Sequence, residues 1–262
     1  MPKGNSLKKQ ILIVSIAVFL ILLIDQIIKI YVKTHFDAGE VVPVAGDWFV
    51  LEYIENQGMA FGTKFGSEVW HKLALSLFRI IAISAIVYYW IKQARRGVRT
   101  EFLFAIGLIL AGATGNLIDS MAYDYIFFFF FCGPFNQLEG SGIYADCNPL
   151  WGEKTEVRHS GFLFGNVVDM FKFQAEWPDW MPWLGGRDVF PAIWNLADAS
   201  ITLGVIMVFF RQRKYFPQEK SEKKGVFFRT RKNALSMATE GLKKEDSVAA
   251  DEEIAPETDS NE

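Results

Sequence analysis

The feature that most constrains this sequence is a set of long apolar segments, each about the length needed to cross a lipid bilayer. A membrane-spanning helix needs roughly 20 largely apolar residues. Four segments meet this requirement, at about 11–32, 70–91, 101–122 and 192–210. The 24 phenylalanines and the 51% of hydrophobic residues fit exposure to lipid better than a soluble core. The sequence therefore predicts an α-helical membrane protein with four transmembrane helices.

Basic residues beside these segments predict their orientation. Three lysines precede the first segment, KQARRGVR at 92–99 joins the second to the third, and three basic residues lie at 211–214. Because Lys and Arg are enriched in cytoplasmic loops, both termini are predicted to be cytoplasmic and residues 33–69 and 123–191 to lie outside. The distribution of charged residues along the sequence provides no basic face of the kind that nucleic-acid binding requires, so nucleic-acid binding is not expected.

The parts outside the membrane differ from one another. Residues 38–64 mix β-branched and aromatic residues with Pro and Gly, which predicts a small extracytoplasmic β-sheet. Residues 123–160 are predicted to form an extended insert outside the membrane. This insert either covers a site as a lid or only lies at the membrane interface. The aromatic residues of 123–191 suit the headgroup belt of a membrane, with a loop packed on the protein itself as the alternative. After a membrane domain of residues 1–214, residues 215–262 are predicted to be a disordered charged cytoplasmic tail.

Several polar residues occur where lipid is expected. Asp25 and Lys29 are four residues apart in the first segment and can pair on one helical face, which we interpret first as a structural ion pair. Arg79 lies inside the second segment, where an unpaired charge is costly. In the third segment, Gly107, Ala111 and Gly115 form a small-residue face that lets another helix approach closely.

A second face of the third segment carries Asn116 and Asp119, and the fourth segment carries Asn195 and Asp198 at helical spacing. These residues are predicted to lie at the same depth, near the outer ends of their helices. Asp169 stands just before the fourth segment in an apolar, β-branched stretch. Each aspartate alone could be a helix cap or an ion-pair partner, and for Asp119 that structural role is preferred.

Asp169 and Asp198 together point to hydrolysis. Two carboxylates at a dry interface do not easily both ionise and tend to share a proton. One then acts as a base that activates water, and the other as an acid that protonates the scissile carbonyl or the leaving amine. The three histidines form no metal-ligand pair and no serine elbow motif occurs, so no other residues in the sequence offer hydrolytic chemistry.

Five motifs in order give the chain a resemblance to a known family. They are DQIIK (25–29), ENQGMAFG (55–62), GNLIDS (115–120), VVDMF (167–171) and FPAIWNLADAS (190–200). Together they resemble lipoprotein signal peptidase, also called signal peptidase II, over about residues 8–122 and 160–212. The resemblance implies an aspartic endopeptidase of the bacterial cytoplasmic (inner) membrane, with its active site at the extracytoplasmic face. It implies cleavage of diacylglyceryl-modified prolipoproteins before the lipidated cysteine, contact with membrane lipid, and inhibition by the globomycin class. It also implies that neither a metal nor an organic cofactor is needed, and a monomer is expected.

The same resemblance assigns roles to residues. It implies that Asp169 and Asp198 are the catalytic dyad. The remaining residues that it implies bind substrate or support the dyad are Asn56, Gly58, Asn116, Asp119, Asn195, Asp25 and Lys29.

The chain departs from the family in three places. Ser120 stands where the family usually has an arginine, and our hypothesis is that Arg79 supplies the missing positive charge near Asp119. Glu55 stands where a basic residue is common. The insert is much longer than the usual connection, and because it is predicted to lie on the oxidising side, Cys132 and Cys147 within it could form a disulfide.

Two other classes of protein fit part of this pattern. Paired acids, an arginine and small-residue faces also describe an ion- or proton-coupled small membrane transporter. Against it, the sequence has no internal repeat, and the acids gather at one face of the membrane instead of the midplane. A structural scaffold would leave unexplained why Asn116, Asn195 and Asp198 are predicted at one depth.

Overall fold

The computed structural model describes residues 4–56, 69–130, 132–148 and 153–215. Within these ranges the chain forms four long helices: α1 (Gly4–His35), α2 (Val69–Arg95), α3 (Thr100–Ile126) and α4 (Leu196–Tyr215). Three of them, α1, α2 and α3, are long and apolar enough to cross a membrane. The chain is therefore a helical membrane protein. Residues 216–262 of the predicted tail and part of the predicted outer β region, 57–64, lie outside the described residues, whereas Tyr215, predicted to begin the tail, is the last residue of α4.

Helix α4 begins four residues later than predicted. The predicted start at about 192 fails because Trp194 is held in an extended conformation beside Phe171, with backbone hydrogen bonds of 2.8 and 3.0 Å in the two directions. The helix starts at Leu196, directly after Asn195. It carries Asp198 in its first turn and basic residues in its last turn, so its apolar stretch is shorter than those of the other three helices.

Helix α3 is the central helix, in contact with each of the other three. Its glycines make this possible, because a Cβ atom on Gly107 would touch Val14 and Val18 of α1, and one on Gly112 would lie 2.1 Å from the Ala197 carbonyl oxygen of α4. The side of Gly115 is occupied by Asp25 and by Ala197. Two members of the predicted small-residue face, Gly107 and Gly115, thus allow close approach of α1 and α4, and Gly112, outside that face, admits α4 as well.

A three-stranded antiparallel sheet is formed by segments that lie between the helices in the sequence. It consists of β1 (Val41–Ala45), β2 (Phe49–Asn56) and, from a later part of the chain, β5 (Val167–Phe173), in the order β1–β2–β5. The pairing places Ile54 opposite Asp169 and Asn56 opposite Val167. The small sheet predicted from residues 38–64 is therefore found, completed by the strand that carries Asp169.

The insert is fastened to the body of the protein. After α3 it forms two short 3-10 helices and a hairpin of β3 (Tyr144–Asn148) and β4 (Glu153–Glu156), and the structure joins Cys132 to Cys147 in a disulfide. At its base, the buried Arg158 guanidinium forms two hydrogen bonds to the Asp124 carboxylate, of 2.7 and 3.0 Å. The Arg158–Asp124 pair thus joins the end of the insert to the last turns of α3, and the disulfide closes a loop within the insert.

Candidate active site

The polar residues predicted from the sequence converge where the sheet meets the ends of α1, α3 and α4. Most of them are almost completely buried, with exposed fractions of 7% or less: Asp25, Lys29, Asn116, Asp119, Asp169 and Asn195. Buried charges and amides require partners, because an unpaired polar group in such a place costs free energy. The partners define the site. Asn56 also reaches this cluster, whereas Gly58 lies outside the described residues.

Asp169 lies on β5 and receives hydrogen bonds from two amides. The Asn195 Nδ2 atom donates to Asp169 Oδ1 over 2.6 Å, and the Asn56 side-chain amide donates to Asp169 Oδ2. Burial raises the pKa of Asp169 well above its ordinary value, and the negative charge of Asp198 raises the pKa further. The Asp169 carboxyl therefore keeps its proton at a pH where an exposed aspartate has lost it.

Asp198 lies in the first turn of α4 and is less buried than Asp169. The Asn116 Nδ2 atom of α3 donates to Asp198 Oδ1 over 2.9 Å, and the Asn195 backbone amide donates to Asp198 Oδ2 over 3.3 Å. It lies at a helix N-terminus, where free backbone amides and the helix dipole carry positive charge. The two aspartates thus occupy different environments.

Asn195 connects the two aspartates. Besides Asp169 Oδ1, its Nδ2 atom has Asn116 Oδ1 at 3.1 Å and the Val168 carbonyl oxygen at 3.2 Å as acceptors. Its own Oδ1 accepts a hydrogen bond from the Asp198 backbone amide over 2.9 Å. One asparagine therefore holds the strand that carries Asp169 against the helix that carries Asp198.

Lys29 balances the negative charge behind the site. Its Nζ atom lies 3.1 Å from Asp25 Oδ2, as the four-residue spacing predicts, and 2.8 Å from Asp119 Oδ2. It also donates to Asn116 Oδ1 over 2.9 Å. Asp25 additionally accepts a 2.9 Å hydrogen bond from the Ala197 backbone amide at the start of α4. Lys29 and Asp25 thus fix the positions of α3 and α4.

Asp119 has the contacts of a structural residue. Besides Lys29, it accepts a 3.0 Å hydrogen bond from Gln26 Nε2 and a 3.4 Å hydrogen bond from the Val168 backbone amide. Gln26 was not singled out from the sequence, although it stands between Asp25 and Lys29 in the DQIIK motif. The sequence signal that could have identified Gln26 is the presence of a polar residue inside an apolar helix.

A second cationic group lies on α2 beside Ser120. Arg79 Nη1 donates to Ser120 Oγ over 3.3 Å, and Lys72 Nζ is 3.5 Å from the same oxygen. Lys72 was not predicted as a site residue from the sequence, although its seven-residue spacing from Arg79 places both residues on one helical face.

The arrangement suits acid–base hydrolysis of an amide. It offers one carboxyl that holds its proton, one carboxylate at a helix N-terminus, and amides that fix both. In the described residues, no group of three or more His, Cys, Asp and Glu side chains could hold a metal ion.

Comparison with known proteins gives consistent matches. A family model described as signal peptidase (SPase) II matches residues 17–213. A lipoprotein signal peptidase of Porphyromonas gingivalis is 39% identical over 202 residues, which are 75% of this chain and 80% of that protein. Another from Amoebophilus asiaticus is 32% identical over 207 residues, 76% of this chain and 77% of that protein. A solved bacterial membrane enzyme covers 82% of this chain and 93% of its own, with 23% identity and a TM-score of 0.49.

Proposed function

The chain belongs to the signal peptidase II family, the lipoprotein signal peptidases, and from this premise we propose that Asp169 and Asp198 form its catalytic dyad. A member of this family is a peptidase, and thus a hydrolase, of the bacterial membrane that acts on lipoprotein precursors. The finer proposal is that this protein cuts diacylglyceryl-modified prolipoproteins directly before the lipidated cysteine and releases the signal peptide.

The observation that carries the dyad proposal is the position of Asn195. Its side chain is hydrogen-bonded to Asp169 at 2.6 Å and to the backbone of Asp198 at 2.9 Å. An amide shared in this way holds two carboxyl groups in a fixed relation, which a reaction between positioned groups requires. Asp119 shares the Gln26 amide with Asp25, but Lys29 pairs with both of these carboxylates and compensates their charge.

The different environments of the two acids assign their roles. Asp198 is the base: it takes a proton from a water molecule while the water oxygen attacks the scissile carbonyl carbon. Asp169 is the acid: its proton passes to the carbonyl oxygen as that oxygen gains electrons. When the carbon–nitrogen bond breaks, the leaving amine takes the proton from Asp198, and Asp169 recovers its proton from the tetrahedral diol.

Asn116, Asn195 and Asn56 support this dyad. Each asparagine donates a side-chain hydrogen bond to one of the two aspartates. We further propose that Arg79 orients the substrate, because its guanidinium donates to the hydroxyl of Ser120, the position where the family usually has an arginine. An arginine at Ser120 is then not needed for this task.

The membrane position of the site suits a lipid-modified substrate. A signal peptide is an apolar helix, so its end reaches the membrane boundary, where the diacylglyceryl group stays in lipid while the scissile bond meets polar groups. Binding of the distant lipid can then contribute to orientation at the reacting bond. We expect the globomycin class of inhibitors to compete for this site and the protein to act as a monomer.

The proposed topology has four spans, with α4 as the fourth, and both termini in the cytoplasm. Its support is the basic connection between α2 and α3 and the basic end of α4, since Lys and Arg are enriched in cytoplasmic segments. In this topology the sheet, the insert and the dyad lie on the extracytoplasmic face of the inner membrane.

A cleavage assay tests the function and the dyad separately. Purified wild type, Asp169→Asn and Asp198→Asn proteins are incubated with a diacylglyceryl-modified prolipoprotein, and the released product is followed by gel shift. Glu101→Gln, a change of an exposed carboxylate on α3 distant in sequence from the dyad, is the control.

We expect cleavage by the wild type and the control and none by the two folded dyad variants. Cleavage by Asp169→Asn would mean that one acid is wrongly assigned and that Asp119 must be tested. An intact substrate after incubation with folded wild type would contradict the peptidase proposal, and proton-flux assays would then test a transporter.

A further inference from the structure

The loop between β5 and α4 carries two tryptophans that do not pack on the protein. Trp180 is 78% exposed and Trp183 is 91% exposed, and the neighbouring Leu184 is 41% exposed. A tryptophan that is almost fully exposed forgoes the large stabilisation that burying an indole ring brings. The exposure therefore points to a partner surface, and the alternative of a loop packed on the protein itself is excluded for these side chains.

This loop is not a loose segment. Its two sides are joined by backbone hydrogen bonds, of 2.8 Å from the Trp177 amide to the Arg187 carbonyl and 2.6 Å from the Val189 amide to the Ala175 carbonyl. Near the tip, a Cβ atom on Gly185 would lie 2.7 Å from the Asp179 carbonyl oxygen, so the two arms are in close contact. The backbone thus holds the two indoles outward in a defined position.

The loop is continuous with the membrane-facing part of the chain. Phe190 at its end packs on Phe173 of β5 with ring centroids 6.2 Å apart, and Phe173 packs on Trp194 at 5.7 Å. Trp194 stands two residues before α4. The short 3-10 helix that follows α3 shows the same kind of exposure, with Phe129 66% exposed. Exposed aromatic residues at the ends of membrane helices are typical of the lipid headgroup region.

We propose that the tip of this loop, residues 180–184, inserts into the headgroup region of the leaflet on the side of the active site. Tryptophan suits this depth because its ring is apolar and its N–H group is polar. The loop then forms a second point of attachment to the lipid surface, next to the start of α4. It fixes the sheet that carries Asp169 at a constant height above the membrane.

Site-directed labelling tests the proposal independently of catalysis. Single-cysteine variants Trp183→Cys, Phe129→Cys and Glu139→Cys receive an environment-sensitive fluorophore, and each protein is placed in phosphatidylcholine–phosphatidylglycerol vesicles. The disulfide between Cys132 and Cys147 leaves neither sulfur as a free thiol, and labelling of the wild type measures any background. Because Trp183 is exposed and already adopts a positive φ of 64°, cysteine there removes little packing and adds no new strain.

The readout is quenching by a lipid that carries a shallow spin label, compared with quenching by iodide in water. We expect the label at position 183 to lose as much emission to the lipid quencher as the label at 129, and several-fold more than the label at the exposed insert position 139. Quenching of the 183 label by iodide without lipid quenching would overturn the proposal. So would equal lipid quenching at 183 and 139, or a 183 label that neither quencher reaches.

Discussion

Asn195 and Asp198 cap each other at the start of α4. The Asp198 backbone amide donates to Asn195 Oδ1 over 2.9 Å, and the Asn195 backbone amide donates to Asp198 Oδ2 over 3.3 Å. This reciprocal pair has the form of a capping box, with the carboxylate at the third helical position. The residues that start the helix are thus the same residues that lie at the proposed reaction centre.

Substitutions at Asn195 should separate capping from catalysis. Asn195→Ser keeps a side-chain oxygen for the Asp198 amide, whereas Asn195→Ala keeps none, so we expect the serine variant to be more stable by about 1 kcal/mol. Both variants lose the amide that donates to Asp169, so both should cleave prolipoprotein about 100-fold more slowly or worse. Thermal unfolding and the cleavage rate measure the two effects. A serine variant with the wild-type rate would contradict a catalytic role for the amide.

The raised pKa of Asp169 predicts how stability depends on pH. Because burial and the charge of Asp198 raise its pKa in the folded state, the folded protein keeps the Asp169 proton to higher pH than the unfolded chain does. The resulting stabilisation is full below the pKa of an unfolded aspartate, about 3.9, and is lost as pH rises through the folded-state pKa.

Unfolding from about pH 4 upward, followed for wild type and Asp169→Asn, checks this prediction. The variant cannot ionise at this position and should show a weaker fall in stability with pH. Cleavage by the wild type should also fall on the alkaline side as Asp169 loses its proton. Identical stability profiles for the two proteins would contradict the raised pKa.

Two glycines of α3 should differ sharply in their tolerance of alanine. At Gly112 a Cβ atom would lie 2.1 Å from the Ala197 carbonyl oxygen, which is backbone and cannot move without shifting α4. At Gly107 the nearest atoms are the flexible side chains of Val14 and Val18, at 3.1 and 3.0 Å. We expect Gly112→Ala to cost about 3 kcal/mol or more and Gly107→Ala about 1 kcal/mol or less. Unfolding in detergent measures both, and equal losses would show that α3 and α4 are not in backbone contact.

Arg79 and Asp119 should act together in catalysis. Arg79 donates to the hydroxyl of Ser120, the residue that directly follows Asp119 on α3. We expect a double-mutant cycle of Arg79→Met and Asp119→Asn, measured on the cleavage rate, to show coupling above about 0.5 kcal/mol. The control cycle pairs Arg79→Met with Glu101→Gln and should be additive. Purely additive losses in the first cycle would refute the hypothesis that Arg79 supplies the positive charge near Asp119.

The base of the insert should depend on Arg158. Its pair with Asp124 is about 7% exposed on each side, and breaking a buried pair leaves one charge without compensation, so we expect Arg158→Ala to cost about 3–5 kcal/mol. The control, Lys172→Ala, breaks a pair with Glu52 that is about 20% exposed and should cost less than about 1 kcal/mol. Hydrogen exchange across residues 137–148 and 153–157 should accelerate only in the Arg158 variant. Unchanged exchange there would contradict a clamp at this position.

The sequence by itself determined three membrane helices and most, but not all, of the polar residues in the buried cluster. Both follow from local properties: hydropathy over about 20 residues marks a span, and helical spacing places Asp25 and Lys29 on one face. The small sheet could also be predicted from the sequence, because a segment of alternating β-branched and aromatic residues with Pro and Gly adopts few other structures. Each of these predictions depends only on residues that are close together in the sequence.

Only the tertiary structure decided which polar groups meet. The sequence predicts only the pair of Lys29 with Asp25. In the structure Lys29 also pairs with Asp119 of α3, and Asp25 accepts a hydrogen bond from the Ala197 backbone amide in the first turn of α4. Likewise, the strand of Asp169 joins β2 from more than a hundred residues away. No local pattern encodes these choices. They follow from burial, because each charge and amide removed from water must find whichever partner the packed helices bring within hydrogen-bonding distance.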